Sequence, residues 1–274
     1  RDEARHIGEW ARFHRLAGAA HVIVYDNACS DATIPVLRAA LPGRLTVIPW
    51  AQKLRAAGAG REIHNQVLAY AHAVGNFGAR FRWMAPIDAD EFLVPVAADS
   101  LESALAPLSD CPAITLPWHC FGRNGHRETP AGGVVTNYTR RAADPMSGIS
   151  GVTNFKTIFD PARVTMLGVH RVETDGARAI WNDAGRRVSA RRGRDRAFYS
   201  AGRIQLNHYY ARSEAELAAK IARGSNRSVD AARHAARVRR KIANIEAAEV
   251  EDRTALDFLG RIGAGDIAAG APDG

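Results

Sequence analysis

The sequence predicts an α/β domain with a mostly parallel central sheet flanked by helices and followed by a helical C-terminal segment. Three observations carry that expectation. Over residues 1–122, β-branched stretches of period two alternate with stretches whose apolar residues recur every three or four positions. That alternation is the pattern of βαβ units. Two polar clusters, YDNA (25–28) and IDADE (87–91), fall where predicted strands end, and open sheets of this kind bind ligands beyond the carboxyl ends of their strands. Finally, 274 residues, 46% hydrophobic and 24% charged, suit one large globular domain with a helical appendage.

The elements follow in order. RDEARHIGEWARFHRLAGA (1–19) reads as an amphipathic helix with Ile7, Trp10, Phe13 and Leu16 or Ala17 on one stripe, stopped by Gly18. HVIVYDNA (21–28) is a strand ending at Asp26 and Asn27. SDATIPVLRAAL (30–41) is a helix capped by Ser30 or Asp31, with Pro35 in its first turn, where a missing N–H matters least. LTVIPW (45–50) is a strand, and REIHNQVLAYAHAVG (61–75) a helix with Ile63, Val67, Tyr70 and Val74 on one stripe. FRWMAPIDADEFLVP (81–95) reads as a third strand and its exit, and AITLPWHCFG (113–122) as a fourth. In the second half GGVVTNYTRR, FKTIFDP, RVTMLGVHRV and RIQLNHYYARS read as short strands. SEAELAAKIARG opens with a capping box, Ser213 and Glu216. The Ala-rich remainder to about Leu259 reads as helix. The expected organisation is a main domain over 1–212, helices over 213–262 packed on it or extending it, and a tail over 263–274 without fixed structure.

Composition excludes several classes. No run of about 18 apolar residues exists, so no segment is expected to span a bilayer, and the charged N-terminus does not read as a signal peptide. Three cysteines without C-x-x-C spacing argue against a disulfide scaffold or structural zinc and fit a reducing compartment. A cytoplasmic location, or a peripheral one at the inner membrane face, is the expectation. The net charge is +8, concentrated in the arginine-rich Gly185–Arg196 and in Ala232–Lys241. These stretches read either as a solvated loop and helix face or as a surface for an anionic acceptor or membrane.

The chemistry sits in IDADEFLVP (87–95). On a strand, Asp88 and Asp90 point the same way, and their charges repel unless a cation lies between them. Carboxylate oxygens suit Mg²⁺ or Mn²⁺, which complete their coordination with water and phosphate oxygens. D-x-D at a strand end therefore suggests a metal-bridged diphosphate. The plainer reading is a turn of solvated acids, but apolar residues on both sides demand partners for buried carboxylates. Glu91 points away from the pair on a continuing strand and is expected to support the site from behind.

The opening RDEARHIGEWARFHRLAGAAHVIVYDNACSDAT resembles that of glycosyltransferases of the family 2-like and family 92 groups, where an Asn-Glu-Ala helix precedes a YDN-x-S-x-D strand end. WMAPIDADEFLVP is similar to their D-x-D-E-F block. PWHCFGRNGH, NFKTIFDP with VHRV, and LNHYYARSEAELAAKIARG resemble later blocks in the same order, so the likeness spans about Arg1–Gly224. The resemblance implies a GT-A fold, with a Rossmann-like sheet, and a nucleotide-sugar donor held through a divalent metal. It assigns Asp26 to the base, with Asn27 beside it, Asp88 to the ribose and metal, and Asp90 to the metal. A late histidine often adds a ligand; His208 and His170 both fit, and His208 is preferred because it directly precedes the capped helix. Asp2 stands for the usual Asn, Cys29 for Ser, Pro86 interrupts the third strand, and the strand that usually precedes the first helix is not seen.

Glycosyl transfer needs cations for the leaving diphosphate and, if it inverts, a carboxylate base for the acceptor hydroxyl. Lys156 and Arg171, with Arg223 behind them, are the candidate cations; Glu128, Glu173 and Asp175 are the candidate bases. FGRNGH (121–126) is read as lining the sugar site, and Trp118 reads either as a core residue, the commoner role of a single Trp, or as a ring that stacks on the sugar. The expected function is metal-dependent, inverting transfer from a nucleotide-diphosphate sugar, first of all a UDP-sugar, to a glycan or lipid-linked acceptor, anionic if the arginine loop contacts it. The alternatives are a nucleotidyltransferase-like or other metal-dependent phosphate enzyme, a basic binding module, and a fragment that folds without activity. No Gly-rich phosphate loop favours the first, and nucleic acid is not the expected partner.

Overall fold

The computed structural model describes residues 1–58, 60, 62–222 and 230–265; Arg223 and most of the expected tail lie outside the described residues. In chain order the elements are α1 (Ala4–Leu16), β1 (Val22–Asp26), α2 (Thr33–Ala40), β2 (Leu45–Pro49), α3 (Asn65–Phe77), β3 (Glu91–Pro95), α4 (Leu101–Leu105), β4 (Ala113–Cys120), α5 (Val134–Asn137), β5 (Arg140–Ala142), β6 (Phe155–Phe159), β7 (Val164–Leu167), β8 (Val172–Thr174), β9 (Ala179–Trp181), β10 (Arg187–Ser189), β11 (Ile204–His208), α6 (Glu214–Ala222), α7 (Ala231–Glu246), β12 (Glu249–Glu251) and α8 (Thr254–Arg261).

The architecture is mixed α/β. β1 and β2 form a parallel pair of their own, and the main sheet has the order β3-β11-β4-β6. In that sheet only β11–β4 is parallel; β11–β3 and β4–β6 are antiparallel. The expected mostly parallel sheet is therefore met in two pairings, and the central sheet is mixed. Period-two alternation divides β3 between two cores. Phe92 and Val94 join Ile7, Trp10, Phe13 and Phe258 from α1 and α8, whereas Leu93 joins Leu206, Leu116 and Ile114 with Val238, Ile242 and Ile245 of α7. Helices thus cover both faces of the sheet.

α1 forms as its spacing predicts, with Ile7, Trp10, Phe13 and Ala17 buried and Gly18 at φ +93 just past its end. Asp31 restrains the start of α2 by accepting the Thr33 N–H at 2.9 Å. Two expectations change. Ile63 precedes α3, because its N–H donates to the Leu54 carbonyl and holds it in a short bridged segment. GGVVTNYTRR holds a helical turn, α5, before its strand, because the buried Glu9 carboxylate accepts the N–H groups of both Val134 and Val135, at 2.6 and 3.0 Å. Two free amides on one carboxylate fix the start of a helix, not of a strand.

His14 ties α1 to the main sheet. Its Nδ1 donates to the Trp10 carbonyl at 2.8 Å, and its Nε2 accepts the Leu93 N–H at 3.2 Å. Full burial holds its pKa down to about 4, so the ring is neutral at neutral pH, as this pairing requires. The unfolded chain binds a proton here near pH 6.5 and the folded chain only near 4, so the stability His14 contributes falls as pH falls through that window. His14→Leu leaves the Leu93 amide unpaired and is expected to cost about 1–3 kcal/mol at pH 7. Urea unfolding across pH 7 to 4.5 should show that cost shrinking as pH falls; a cost independent of pH contradicts the assignment.

Candidate active site

The acidic motif does not end a strand; it precedes one. Pro86 lacks an amide hydrogen, and the Glu91 N–H turns back to the Asp88 carbonyl at 3.0 Å, so 88–91 is a turn and pairing begins at Glu91. Upstream, Met84 pairs with Phe159 on the outer edge of β6, whereas Glu91 pairs with His208 of β11. The chain therefore crosses the sheet between these points. The turn lies across the carboxyl ends of β4 and β11, where Cys120 and His208 are in register. The Tyr209 N–H donates to the Asp90 carbonyl at 2.9 Å and fastens the crossing.

Glu91 is fully buried beneath this turn. One carboxylate oxygen accepts the Asp88 N–H and the other the Trp118 indole N–H, both at 2.8 Å. The Lys156 ammonium lies 3.5 Å from Glu91 and 3.1 Å from Asp88. Burial and the Asp88 charge raise the Glu91 pKa, with Lys156 opposing them. For Lys156, burial alone favours the neutral form, but Asp88 and Glu91 outweigh it and keep the amine charged. Gln66 at the start of α3 donates to Asp88 at 2.8 Å. Lys156 is 2% exposed and spent on the acids, so it supports the motif from within the sheet.

Asp90 faces the other way, to Lys220 of α6 at 3.1 Å and to Nε2 of His208 at 3.5 Å. Burial, which would raise its pKa, is outweighed by Lys220 and His208, so the carboxylate stays ionised. Burial holds His208 down to about 4, leaving a neutral ring whose Nδ1 lies 3.9 Å from the Cys120 sulfur. Two hard carboxylates and a neutral imidazole are a donor set that fits Mn²⁺ or Mg²⁺. Their atoms do not converge on one point. Among the described residues, the group of three that does is Asp2, Cys29 and Asp31, whose two carboxylates accept backbone N–H groups of Ser30, Ala4 and Thr33.

Trp118 forms a wall of the site. His170, at the tip between β7 and β8, meets its ring edge-on at 5.3 Å, and His208 lies 4.2 Å from it. His170 is anchored by the Phe155 carbonyl and Asn154, both at 3.2 Å. Lys241 of α7 and Lys220 reach the same place over Tyr210. Burial above all, with Lys220 adding repulsion, holds Lys241 down to about 8. The sequence reading missed both lysines. Lys241 carried a signal, since it falls among His234, Val238, Ile242 and Ile245 in the buried stripe of α7.

The remaining predicted residues are placed differently. Asp26 closes β1, its side chain accepting the Cys29 N–H at 2.9 Å. Its edge connects to the acidic turn indirectly: the Trp50 N–H meets the Asp26 carbonyl, Trp50 and Asn65 exchange hydrogen bonds, and Gln66 follows on α3. Asn27 is half-buried beside it. Arg171 pairs with Glu173 on the β7–β8 hairpin. Asp175 pairs with Arg163 at the hairpin's other end, its N–H on the Arg163 carbonyl. That end adjoins Phe159 and Ala113, about 23 Å from Cys120 along β4 at ~3.3 Å per residue, so the structure separates Asp175 from the acidic turn. Glu128 is exposed in the loop against the start of α6, where the Ala215 N–H donates to the Arg127 carbonyl.

Removing Lys156 isolates the charge on Glu91. Lys156→Met is expected to cost about 3–5 kcal/mol of stability. Lys156→Met with Glu91→Gln should recover part of it, and urea midpoints of wild type and both variants check this; additive losses would contradict the pairing.

A sequence model of "Glycosyltransferase family 92" matches residues 2–182. The chain is 30% identical over 152 residues to a glycosyltransferase family 92 protein of Oryza sativa subsp. japonica, covering 53% of this chain and 24% of that protein. It is 26% identical over 197 residues to a glycosyltransferase family 92 protein of Ricinus communis, covering 68% of this chain and 32% of the relative. The aligned regions thus span about a quarter to a third of the length of these curated relatives. The match takes in the acidic turn, Trp118, Lys156 and His170, and on its strength the chain belongs to glycosyltransferase family 92.

Proposed function

We propose that this chain transfers a sugar from a nucleotide-diphosphate donor, first of all a UDP-sugar, to a glycan or lipid-linked acceptor, with a divalent cation at the acidic turn and inversion at the sugar carbon. The observation that carries the reading is the turn itself: Asp88 and Asp90 lie across the carboxyl ends of β4 and β11, braced from below by Glu91 and Lys156. A cation there would supply charge stabilisation to the departing diphosphate. Asp88, Asp90 and His208 would hold it. Lys156 keeps Asp88 in place, Glu91 keeps the turn closed, and the buried Trp118 holds Glu91 through its indole N–H.

The acceptor hydroxyl must lose its proton to a carboxylate. Asp175 is remote, and Glu173 is held by Arg171, which favours Glu128 for that task. Gly185, where the arginine-rich loop starts, lies beside Leu108 and Cys111 before β4 begins, and Arg196, where it ends, pairs with Asp144 after β5. The loop's exposed Arg187, Arg191, Arg194 and Arg196 suit contact with an anionic surface, such as a membrane face. No described helix is long and apolar enough to cross a membrane.

Calorimetric titration of UDP-sugars with and without Mn²⁺ tests the reading. Binding is expected to require the cation, and Asp90→Ala is expected to weaken it at least a hundredfold, about 2.7 kcal/mol, while thermal unfolding stays cooperative. Metal-independent binding, or an Asp90→Ala variant that binds as the wild type does, contradicts it.

A further inference from the structure

Lys241 occupies a position that a charged side chain rarely takes. It lies in the buried stripe of α7, yet among the described residues its ammonium group makes no salt bridge or hydrogen bond, and Asp90 and Glu91 act on it only from beyond contact distance. Instead it sits 3.4 Å from the ring centre of Tyr210 and 4.8 Å from that of Trp118. The site is shaped around its stem. Gly151 has φ +90, and a Cβ there would come within 2.3 Å of the Lys241 Cγ. Lys220 brings a second ammonium to the same ring, 3.7 Å from its centre, while its Nζ holds Asp90. Two cations on one aromatic ring attract the ring but repel each other. Such a pair is stable when an anion lies against both.

The charge count points to the anion. Lys156, Lys220 and Lys241 gather about Asp88, Asp90 and Glu91, three basic groups with three acidic ones, and burial favours the neutral form of Glu91. Adding a divalent cation leaves an excess of at least two positive charges, which the two negative charges of a diphosphate diester offset. We propose that Lys241 and Lys220 form the seat of the donor's diphosphate, Lys241 fixed between Trp118 and Tyr210 and Lys220 exchanging Asp90 for a phosphate oxygen when a cation takes the acidic turn. This assignment rests on the function proposed above. No covalent step is involved; the lysines bind and neutralise the group that leaves.

The test titrates inorganic pyrophosphate with Mg²⁺ into the wild type and into Lys241→Gln, Lys241→Arg and Lys220→Gln, followed by Trp fluorescence and calorimetry. Lys241→Gln is expected to weaken pyrophosphate binding about ten- to hundredfold, as for loss of a charge-assisted contact, and Lys241→Arg to retain most of it. Lys220→Gln is expected to weaken it about tenfold. Equal binding by wild type and Lys241→Gln overturns the assignment, as does a wild type that binds no pyrophosphate. If Lys241→Gln fails to fold, Lys220→Gln, changed on a partly exposed side chain, decides the matter: unchanged binding overturns the proposal. A UDP-sugar arm keeps the two readings apart. Pyrophosphate bound through Lys241 with no affinity for a nucleotide sugar sinks the proposed function and leaves the seat standing. Metal-dependent nucleotide-sugar binding that ignores Lys241 does the reverse.

Discussion

The site depends on one buried carboxylate. Glu91 has no exposed surface, and every group that touches its oxygens is a donor: the Asp88 amide, the Trp118 indole and the Lys156 ammonium. The first contact closes the acidic turn, the second fixes the aromatic wall, and the third balances the charge that burial makes costly. The Glu91 carbonyl accepts the Trp10 indole N–H at 2.8 Å as well, so α1 is bound to the same residue. A single side chain and its own backbone thereby set the first helix, the turn, the central strand and β6 relative to one another.

Around that anchor the charged groups divide by sign. Asp90, with the buried His208 beside it, stands on one side, and Lys220 and Lys241 stand over Tyr210 on the other. The lysines come from α6 and α7, which follow the sheet in sequence and lean on its carboxyl edge. The capping box at the start of α6 holds that helix in place: Ser213 and Glu216 exchange hydrogen bonds at 2.8 to 3.2 Å, and Glu216 is also bonded to His6 of α1. Residues that read as a basic surface stretch are split by helical geometry. Arg233, Arg237, Arg239 and Arg240 stay in solvent, while Lys241 turns inward.

Local signals were legible where local physics decides. The stripe of α1, the capping box of α6 and the strands β1 and β4 all formed where short-range spacing places them. The spacing alone puts the acidic turn at the end of a strand, whereas Pro86 and the Glu91 amide make it a crossing that leads into one. Long-range pairing was not legible: nothing near Lys156 shows that β6 brings it under Asp88, and nothing near Glu9 shows that it starts a helical turn 125 residues away. Such partners are set by sheet order, which a single chain's spacing does not encode.

The position of β11 has a consequence in time as well as in space. It lies between β3 and β4, yet it follows β4 by more than eighty residues, so the strands flanking it share no ladder until it inserts. Closing so long a loop is slow, and contacts of this kind form late. Before insertion, Phe92, Leu93, Val94, Leu116 and Trp118 line two open strand edges, the sort of surface that captures other chains. Asp90 and His208 come together only when β11 docks, so the edge that carries the acidic turn is assembled in the same event that removes the hazard of aggregation.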